Sequence, residues 1–163
     1  MDDYEEGVKL LEEKFGGGKD VVIALATVAR ELGAEGRPRP AVRCVDAYYE
    51  DRVFYVTSHS SSNKMREIAE NPEVSVAGCS EMFTASAIGE NLGWVMDPKN
   101  EALRAKLRAA FAPWYESAND ERDEGCCILA IRLTEGILNV NHWEKLYRLD
   151  FMNRKALLTE GKS

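Results

Sequence analysis

The sequence predicts a mainly β protein, an antiparallel β-barrel decorated with helices. Short segments rich in β-branched and aromatic residues recur along the chain, and such residues suit a pleated sheet. Most of them are separated by short turns, which join antiparallel neighbours. Helical periodicity is confined to three stretches, so a sheet that closes to hide its edges forms the body of the fold. The predicted strands cover residues 21–29, 39–49, 53–57, 73–79, 82–91, 126–133 and 136–140.

Apolar spacing and end signals predict two of the helices. Helix 3–15 ends at three glycines, and helix 96–110 begins with Asp97 as its cap and Pro98 at its first position. The apolar faces are Val8, Leu11 and Phe15 in the first helix and Leu103, Leu107 and Ala110 in the second. Residues 112–123 are interpreted as a connector, residues 142–151 as a continuation of the last strand, and residues 153–163 as a loose basic tail on a single domain.

The remaining helix belongs to the stretch 53–76, which is the most informative part of the sequence. A strand runs into the polar segment 58–63, and a helix follows with Met65, Ile68 and Ala69 at the spacing of one buried face. Pro72 ends that helix, because the residue before a proline avoids the helical region.

The start of this helix has the features of an anion site. The first turn of a helix leaves backbone N–H groups without partners and carries partial positive charge. Three serines (60–62) and Asn63 add donors, and Lys64 adds a full charge. The alternative is an ordinary N-cap, in which Ser62 or Asn63 bonds back to the helix.

Composition limits the classes of function. The 163 residues have a formal net charge of −7, which argues against a nucleic-acid partner. There is no apolar run of about 18 residues that would span a membrane, and the acidic N-terminus resembles neither a signal nor a transit peptide. We therefore expect a cytoplasmic protein. Two histidines and no CxxC motif predict no metal site, and the cysteines, which are Cys44, Cys79, Cys126 and Cys127, are expected to be reduced.

An ordered set of motifs spans roughly residues 20–92. In chain order these are Ala26-Thr27, Gly36-Arg37-Pro38, Arg39-Pro40-Ala41-Val42-Arg43, Phe54-Tyr55-Val56-Thr57-Ser58, Ser62-Asn63-Lys64 and Asn71-Pro72. The set resembles the FMN-binding split-barrel family that includes pyridoxamine 5′-phosphate oxidase. This resemblance implies a split β-barrel and a homodimer with two FMN molecules in clefts at its interface.

The resemblance also implies roles for individual residues. Arg43 and Lys64 would pair with the FMN phosphate. The implied hydrogen-bonding partners of the phosphate are Ser58, Ser62 and Asn63. The backbone at Cys44 and Val45 would pass the isoalloxazine ring, and Thr57 would face the ribityl chain or the ring edge. The sequence departs from the family at Asn63, where many oxidases have arginine, and at Cys44, where proline or leucine is frequent.

Several alternatives remain open from the sequence. Arg43 could instead pair with a carboxylate, and Lys64 could be a solvated helix residue. His59 is expected to face solvent, and His142 is structural or a proton donor. The tryptophans, which are Trp94, Trp114 and Trp143, either stack on the ring or pack against protein.

No nucleophile–base pair stands out, so in an enzyme the flavin would carry the electron chemistry. The sequence thus favours a small flavin-dependent oxidoreductase of unknown substrate. The competing hypotheses are a non-enzymatic protein that binds a flavin, a deazaflavin or haem on the same fold, and an acidic interaction protein.

Overall fold

The computed structural model describes residues 1–161. It contains eight strands, which are β1 Val21–Val28, β2 Pro40–Glu50, β3 Val53–His59, β4 Glu73–Gly78, β5 Phe83–Trp94, β6 Cys126–Val140, β7 Lys145–Asp150 and β8 Lys155–Glu160. The α-helices are α1 Asp3–Phe15, α2 Asn63–Glu70, α3 Glu101–Ala110 and α4 Tyr115–Ala118, and short 3₁₀ turns occupy Ala34–Gly36 and Pro98–Asn100. The prediction of a mainly β fold with helices is confirmed.

Six of the strands close into a barrel. The sheet order is β3-β2-β1-β4-β5-β6-β7-β8, and an additional pairing between β3 and β6 joins the ring. Every pairing is antiparallel. Strands β7 and β8 extend the sheet beyond β6, so β8 forms its free edge among the described residues.

The barrel interior holds the main apolar core, and alternation along each strand supplies it. On β1 the residues Val21, Ile23 and Leu25 are buried, and on β5 the residues Phe83, Ala85, Ala87 and Gly89, which share one face, are buried. Helix α1 adds Leu11 and Phe15, both fully buried. A second apolar cluster lies outside the barrel, where α3 and α4 cover Tyr48, Cys126 and Ile128.

Three predictions about the C-terminal half are corrected. Strand β6 runs unbroken through the expected break near Thr134, because this residue is the extra one of a bulge. Its neighbours Leu133 and Glu135 pair with the consecutive residues Ala87 and Ser86. The predicted continuation 142–151 is a turn followed by the separate strand β7, and the connector contains α4.

The tail prediction is wrong for residues 155–160, which form β8 and pair along the whole of β7. Ala156 and Leu158 of this strand pack against the barrel core, which explains why the segment is ordered despite its basic character. Residues 162–163 of the predicted tail lie outside the described residues.

Within residues 1–161, no helix has both the length and the apolar character that a membrane crossing would require.

Candidate functional site

The barrel is split between β2 and β3. The two strands pair over only three positions, from Glu50–Val53 to Tyr48–Tyr55. Beyond that point β2 remains paired with β1 and β3 remains paired with β6, so the two strands separate. We call the opening between 40–47 on β2 and 56–59 on β3 the strand gap.

The predicted cofactor residues lie along the strand gap. Arg43, Cys44 and Val45 are on the β2 side, and Thr57 and Ser58 are on the β3 side. The others, Ser62, Asn63 and Lys64, follow at the start of α2. The structure therefore brings together, at one end of the barrel, residues that are up to 21 positions apart in the sequence.

Side-chain direction divides this set into two groups. Arg43, Val45 and Ser58 are on the interior face of their strands, as the burial of their neighbours Ala47 and Val56 shows. Cys44 and Thr57 are on the outer face, and Cys44 is exposed. Within the interior group, Arg43 bonds to Glu67 of α2, and Ser58 lies against Ser62, the residue before that helix. Val45 packs against the barrel core.

Arg43 has internal partners. Its guanidinium donates to Glu67 Oε1 at 3.1 Å, to Thr27 Oγ1 at 2.6 Å and to the carbonyl oxygen of Leu25 at 3.3 Å. Thr27 Oγ1 in turn donates to Glu67 Oε2 at 2.9 Å. Of the two readings left open by the sequence, a carboxylate pair is the one present here, and any contact of Arg43 with a phosphate stays a prediction.

Glu67 is the part of this network that the sequence analysis missed. Its side chain is 7% exposed, and it sits on α2 where the pattern predicted only Met65, Ile68 and Ala69 as the buried face. Met65 and Ile68 are buried, but Ala69 is exposed. The Arg43 partner compensates for the burial of a charge, and no local signal in the helix reveals that partner.

Lys64 is the cation without a partner at this site. Its side chain is half-buried, and it makes no hydrogen bond or ion pair with another residue in the range 1–161. Burial, and then the positive charge of Arg43, lower the pKa of Lys64 below its usual value of 10.5. A half-buried ammonium beside a second cation favours an anion in the same place.

The N-terminus of α2 is not capped by a side chain. Ser62 occupies the cap position with extended backbone, yet its side chain makes no hydrogen bond to the helix. Its Oγ lies 3.2 Å from Ser58 Oγ instead, across the mouth of the loop. The first backbone N–H groups of α2 are thus left for another acceptor, which removes the simplest alternative to an anion site.

Two cavities border this end of the barrel and the neighbouring sheet. One of about 430 Å³ adjoins α2 and is lined by Ala29, Arg30, Glu31, Arg39, Asn63, Glu67 and Glu70. The other, of about 610 Å³, lies on the outer face of the sheet from β1 to β7, and its lining includes Ala24, Ala26, Val42, Ala77, Ile137 and Arg148. None of the eight predicted cofactor residues lines the larger cavity, although Val42 precedes Arg43.

The tryptophans divide between two kinds of position. Trp114 stacks on Phe111 at 4.6 Å between ring centres and donates to Asp20, and Trp94 donates to the carbonyl oxygen of Glu121. Both pack against protein. Trp143 is 64% exposed on the turn between β6 and β7, next to the exposed His142.

His59 is a second residue whose environment the sequence analysis missed. It was expected to face solvent, and its side chain is 45% exposed. It nevertheless has two polar partners. Nδ1 lies 2.6 Å from Ser61 Oγ, and Nε2 lies 2.9 Å from Asp123 Oδ2. The serine run gave a local signal for the first contact, but nothing in the sequence connects His59 with Asp123.

Comparison with solved structures identifies the fold. No protein-family model and no curated protein matches the sequence. A pyridoxamine 5′-phosphate oxidase-related, FMN-binding protein from Nostoc punctiforme matches with a TM-score of 0.61 and 12% identity, over 100% of this chain and 98% of that one. The chain therefore has the split-barrel fold of the pyridoxamine 5′-phosphate oxidase-related proteins, as the motif set predicted.

Other proteins with this fold differ in the ligand that they are described as binding. A haem-binding protein from Mycobacterium smegmatis matches with a TM-score of 0.61 and 15% identity, over 94% of this chain and 60% of that one. An FAD-binding protein from Mesorhizobium loti matches with a TM-score of 0.53 and 18% identity, over 83% and 92%. At these identities the likeness establishes the fold, and the ligand has to be argued from the site.

Proposed function

We propose that this protein binds a flavin-type cofactor, FMN in the simplest case, with the phosphate at the N-terminus of α2. The observation that carries the proposal is Lys64, a half-buried cation without a partner, beside a helix N-terminus that no side chain caps. A phosphate supplies the missing acceptor for both the ammonium and the N–H groups. The fold is compatible, since the Nostoc neighbour is described as FMN-binding.

The other residues of the strand gap have supporting roles in this proposal. Ser58, Ser62 and Asn63 would donate hydrogen bonds to the phosphate. The backbone at Cys44 and Val45 would run along the ring, with Thr57 towards the ribityl chain. Arg43 would act mainly through Glu67, by fixing α2, and its remaining N–H groups would face the phosphate.

We further propose a homodimer that completes the cofactor cleft. The outer face of β1 is apolar yet uncovered, with Val22 60% exposed and Val42 on the neighbouring strand 70% exposed. This face continues into the cavity of about 610 Å³. An exposed, largely small-residue sheet face of this kind favours a second copy of the chain.

A bound flavin supplies the electron or hydride transfer, so the protein needs only to bind and orient the cofactor and its substrate. We propose that the protein is a small flavin-dependent oxidoreductase of this type. A non-enzymatic flavin- or haem-binding role is the second candidate. The observation that favours it is the Arg43–Glu67 pair, which leaves Lys64 as the one unpaired cation among the predicted phosphate residues within 1–161.

Calorimetric titration with FMN, riboflavin, FAD and haemin tests the proposal. We expect FMN to bind at least tenfold more tightly than riboflavin, because only FMN carries the phosphate. Equal affinities for the two flavins would contradict the phosphate site, and tight binding of haemin alone would favour the second candidate. Oxidation of reduced nicotinamide with turnover by the FMN-loaded protein would separate an oxidoreductase from a binding protein.

A further inference from the structure

The side chain of His59 links the loop before α2 to the turn that directly precedes β6. His59 ends β3 and pairs with Cys126 in the sheet. The backbone N–H of Ser61 donates to Nδ1 at 3.1 Å, and Ser61 Oγ lies 2.6 Å from the same nitrogen. Nε2 lies 2.9 Å from Asp123 Oδ2. Both ring nitrogens are thus in use.

The partners determine where the ring proton sits. A backbone N–H can only donate, so Nδ1 of His59 is an acceptor. The proton of the neutral ring is then on Nε2, where the Asp123 carboxylate accepts it. The neighbouring Gly125 N–H, and then His59 itself, lower the pKa of Asp123, which keeps this acceptor ionised. The ring therefore works as a directional connector from Ser61 to Asp123.

Three further features fix the same connection. Asp123 Oδ1 accepts from the N–H of Gly125 at 2.8 Å, and the N–H of Ser60 donates to the carbonyl oxygen of Gly125, also at 2.8 Å. A Cβ on Gly125 would lie 2.4 Å from His59 Nε2, so a glycine is required for the ring to lie against this turn. The loop before α2 is therefore held through both nitrogens of the His59 ring, by Ser61 at Nδ1 and by Asp123 at Nε2.

This arrangement determines which donors remain for a ligand. Ser61 uses its N–H and its hydroxyl on His59, and the N–H of Ser62 donates to the carbonyl oxygen of His59 at 2.9 Å. The first backbone donors beyond the turn are therefore those of Asn63 and Lys64, at the start of α2. Their direction depends on the conformation of the loop, and the loop depends on His59.

We propose that His59 is a positioning residue, which, through Ser61 on one side and Asp123 on the other, orients the start of α2 towards the cofactor phosphate. The inference rests on the proposed function, because it concerns the same phosphate site. It assigns to His59 no contact with the cofactor. Loss of the connection releases the loop and costs binding only for ligands that carry the phosphate.

The test measures FMN and riboflavin affinities of variants at both ends of the connector. We expect His59→Ala and Asp123→Ala each to weaken FMN binding about tenfold, the equivalent of about 1.4 kcal/mol. Because both act through one connection, the double variant should lie within about twofold of either single variant. Riboflavin affinity should stay unchanged throughout. Asp120→Ala is the control, since this exposed carboxylate pairs with Arg122 in the same turn and does not contact His59.

Two more variants separate positioning from general damage. His59→Asn keeps an acceptor near the position of Nδ1 but loses the contact of Nε2 with Asp123, and we expect it to match the loss of FMN affinity in Asp123→Ala to within about twofold. Gly125→Ala alters neither partner but displaces the ring, and we expect it to match His59→Ala. FMN affinity unaltered in His59→Ala, additive losses in the double variant, or an equal loss of riboflavin affinity would overturn the proposal.

A spectroscopic arm works without any cofactor. Long-range ¹⁵N–¹H NMR of the ligand-free protein at pH 8 should show His59 as the Nε2–H tautomer. Asp123→Ala should keep this tautomer, which the N–H of Ser61 fixes, but shift the Nε2 resonance, because Nε2–H loses its acceptor. An Nδ1–H tautomer in wild type, or an unchanged Nε2 resonance in Asp123→Ala, would refute the connector. Failure of the proposed function looks different. In that case wild type does not prefer FMN to riboflavin, whereas failure of the positioning role alone leaves a strong FMN preference that survives in His59→Ala.

Discussion

We expect Lys64 to lower the stability of the folded protein in the absence of a ligand. Its pKa is lowered by burial and by Arg43, so the folded chain binds fewer protons than the unfolded chain just below pH 10.5. Stability therefore rises with pH through that window, and the full penalty of the charged side chain applies below it, including at pH 7. An anion at the start of α2 would remove this penalty, which connects a stability measurement with the proposed site.

Lys64→Met should separate these two effects. Without a ligand we expect an unfolding temperature equal to or above that of wild type, because an unpaired half-buried charge is replaced by an apolar side chain. FMN should bind about tenfold to a hundredfold more weakly, since a charge-assisted hydrogen bond contributes about 1.5–3 kcal/mol. Arg66→Met is the matched control, as this exposed cation lies on the same helix. Unchanged FMN affinity in Lys64→Met, measured by calorimetry, would end the phosphate-site proposal.

Arg43 and Glu67 should behave as a coupled pair in unfolding experiments. Arg43→Gln leaves the Glu67 carboxylate, 7% exposed, with Thr27 as its remaining hydrogen-bonding partner, and we expect a loss of about 3 kcal/mol. Adding Glu67→Gln removes the buried carboxylate that has lost its cation, so the double variant should recover part of the lost free energy of unfolding. Urea unfolding of both single variants and the double variant measures the coupling. Strictly additive losses would show that the pair is not an energetic unit.

The residues of α2 show which structural features a local sequence pattern can predict and which it cannot. The spacing of Met65 and Ile68, and the proline that ends the helix, were sufficient to predict a helix and one buried face. They could not predict that Glu67 would be buried and Ala69 exposed, because the deciding partner is Arg43, 24 residues earlier. In the same way the motif set identified the residues of the strand gap, whereas the contact between His59 and Asp123, 64 residues apart, depends on the pairing of β3 with β6.

The incorrect predictions for β6 and β8 have two different physical causes. The sequence predicts two separate strands, 126–133 and 136–140, but a bulge at Thr134 accommodates the extra residue and lets β6 continue from the barrel to β7. β8 was predicted as loose because of its basic flank, although Ala156 and Leu158 alternate as strand residues do. This alternation can be read from the sequence. The pairing of β8 with β7, which holds the segment in the sheet, cannot.

The elements outside the barrel converge on Glu121. Its carboxylate accepts hydrogen bonds from Arg104, Arg108 and Tyr115, and its side chain is 15% exposed. The hydrogen bond from Arg104 is the first cause that lowers the pKa of Glu121 to about 2. A lowered carboxyl pKa stabilises the fold above the unfolded value of 4.5, and this contribution is lost as the pH falls towards 2.

Glu121→Gln should therefore change the acid limb of the stability curve. We expect a loss of about 3 kcal/mol at pH 7, the order of magnitude that follows from 1.36 kcal/mol per pKa unit. The gap between variant and wild type should shrink between pH 4.5 and pH 2. Glu116→Gln is the control, because Glu116 also pairs with Arg108 but its side chain is 72% exposed. Parallel pH curves for Glu121→Gln and wild type would contradict the assignment.

For the whole molecule, the question is what covers the outer face of the sheet. The sequence of β1 is apolar on both faces, a pattern typical of a strand that is buried on both. In this single chain one face packs in the core, whereas Val22, Ala24 and Ala26 face outwards. Ile137 on β6, 42% exposed, belongs to the same outer surface through the cavity of about 610 Å³. A second copy would bury this surface and restore the expected two-sided burial.

Ile137→Lys tests this arrangement. Arg148 lies opposite Ile137 on β7, so the new lysine adds a second cation to the proposed interface. Both cations have to be desolvated in the dimer but not in a single chain, and we expect the variant to elute from size exclusion with the mass of one chain. FMN affinity should fall with it, because the proposed cleft is completed by the partner. Met96→Lys is the matched control, since Met96 has the same exposure of 42% and does not line that cavity. A variant that stays dimeric would place the interface elsewhere, and a monomer that keeps full FMN affinity would place the whole cofactor site within one chain.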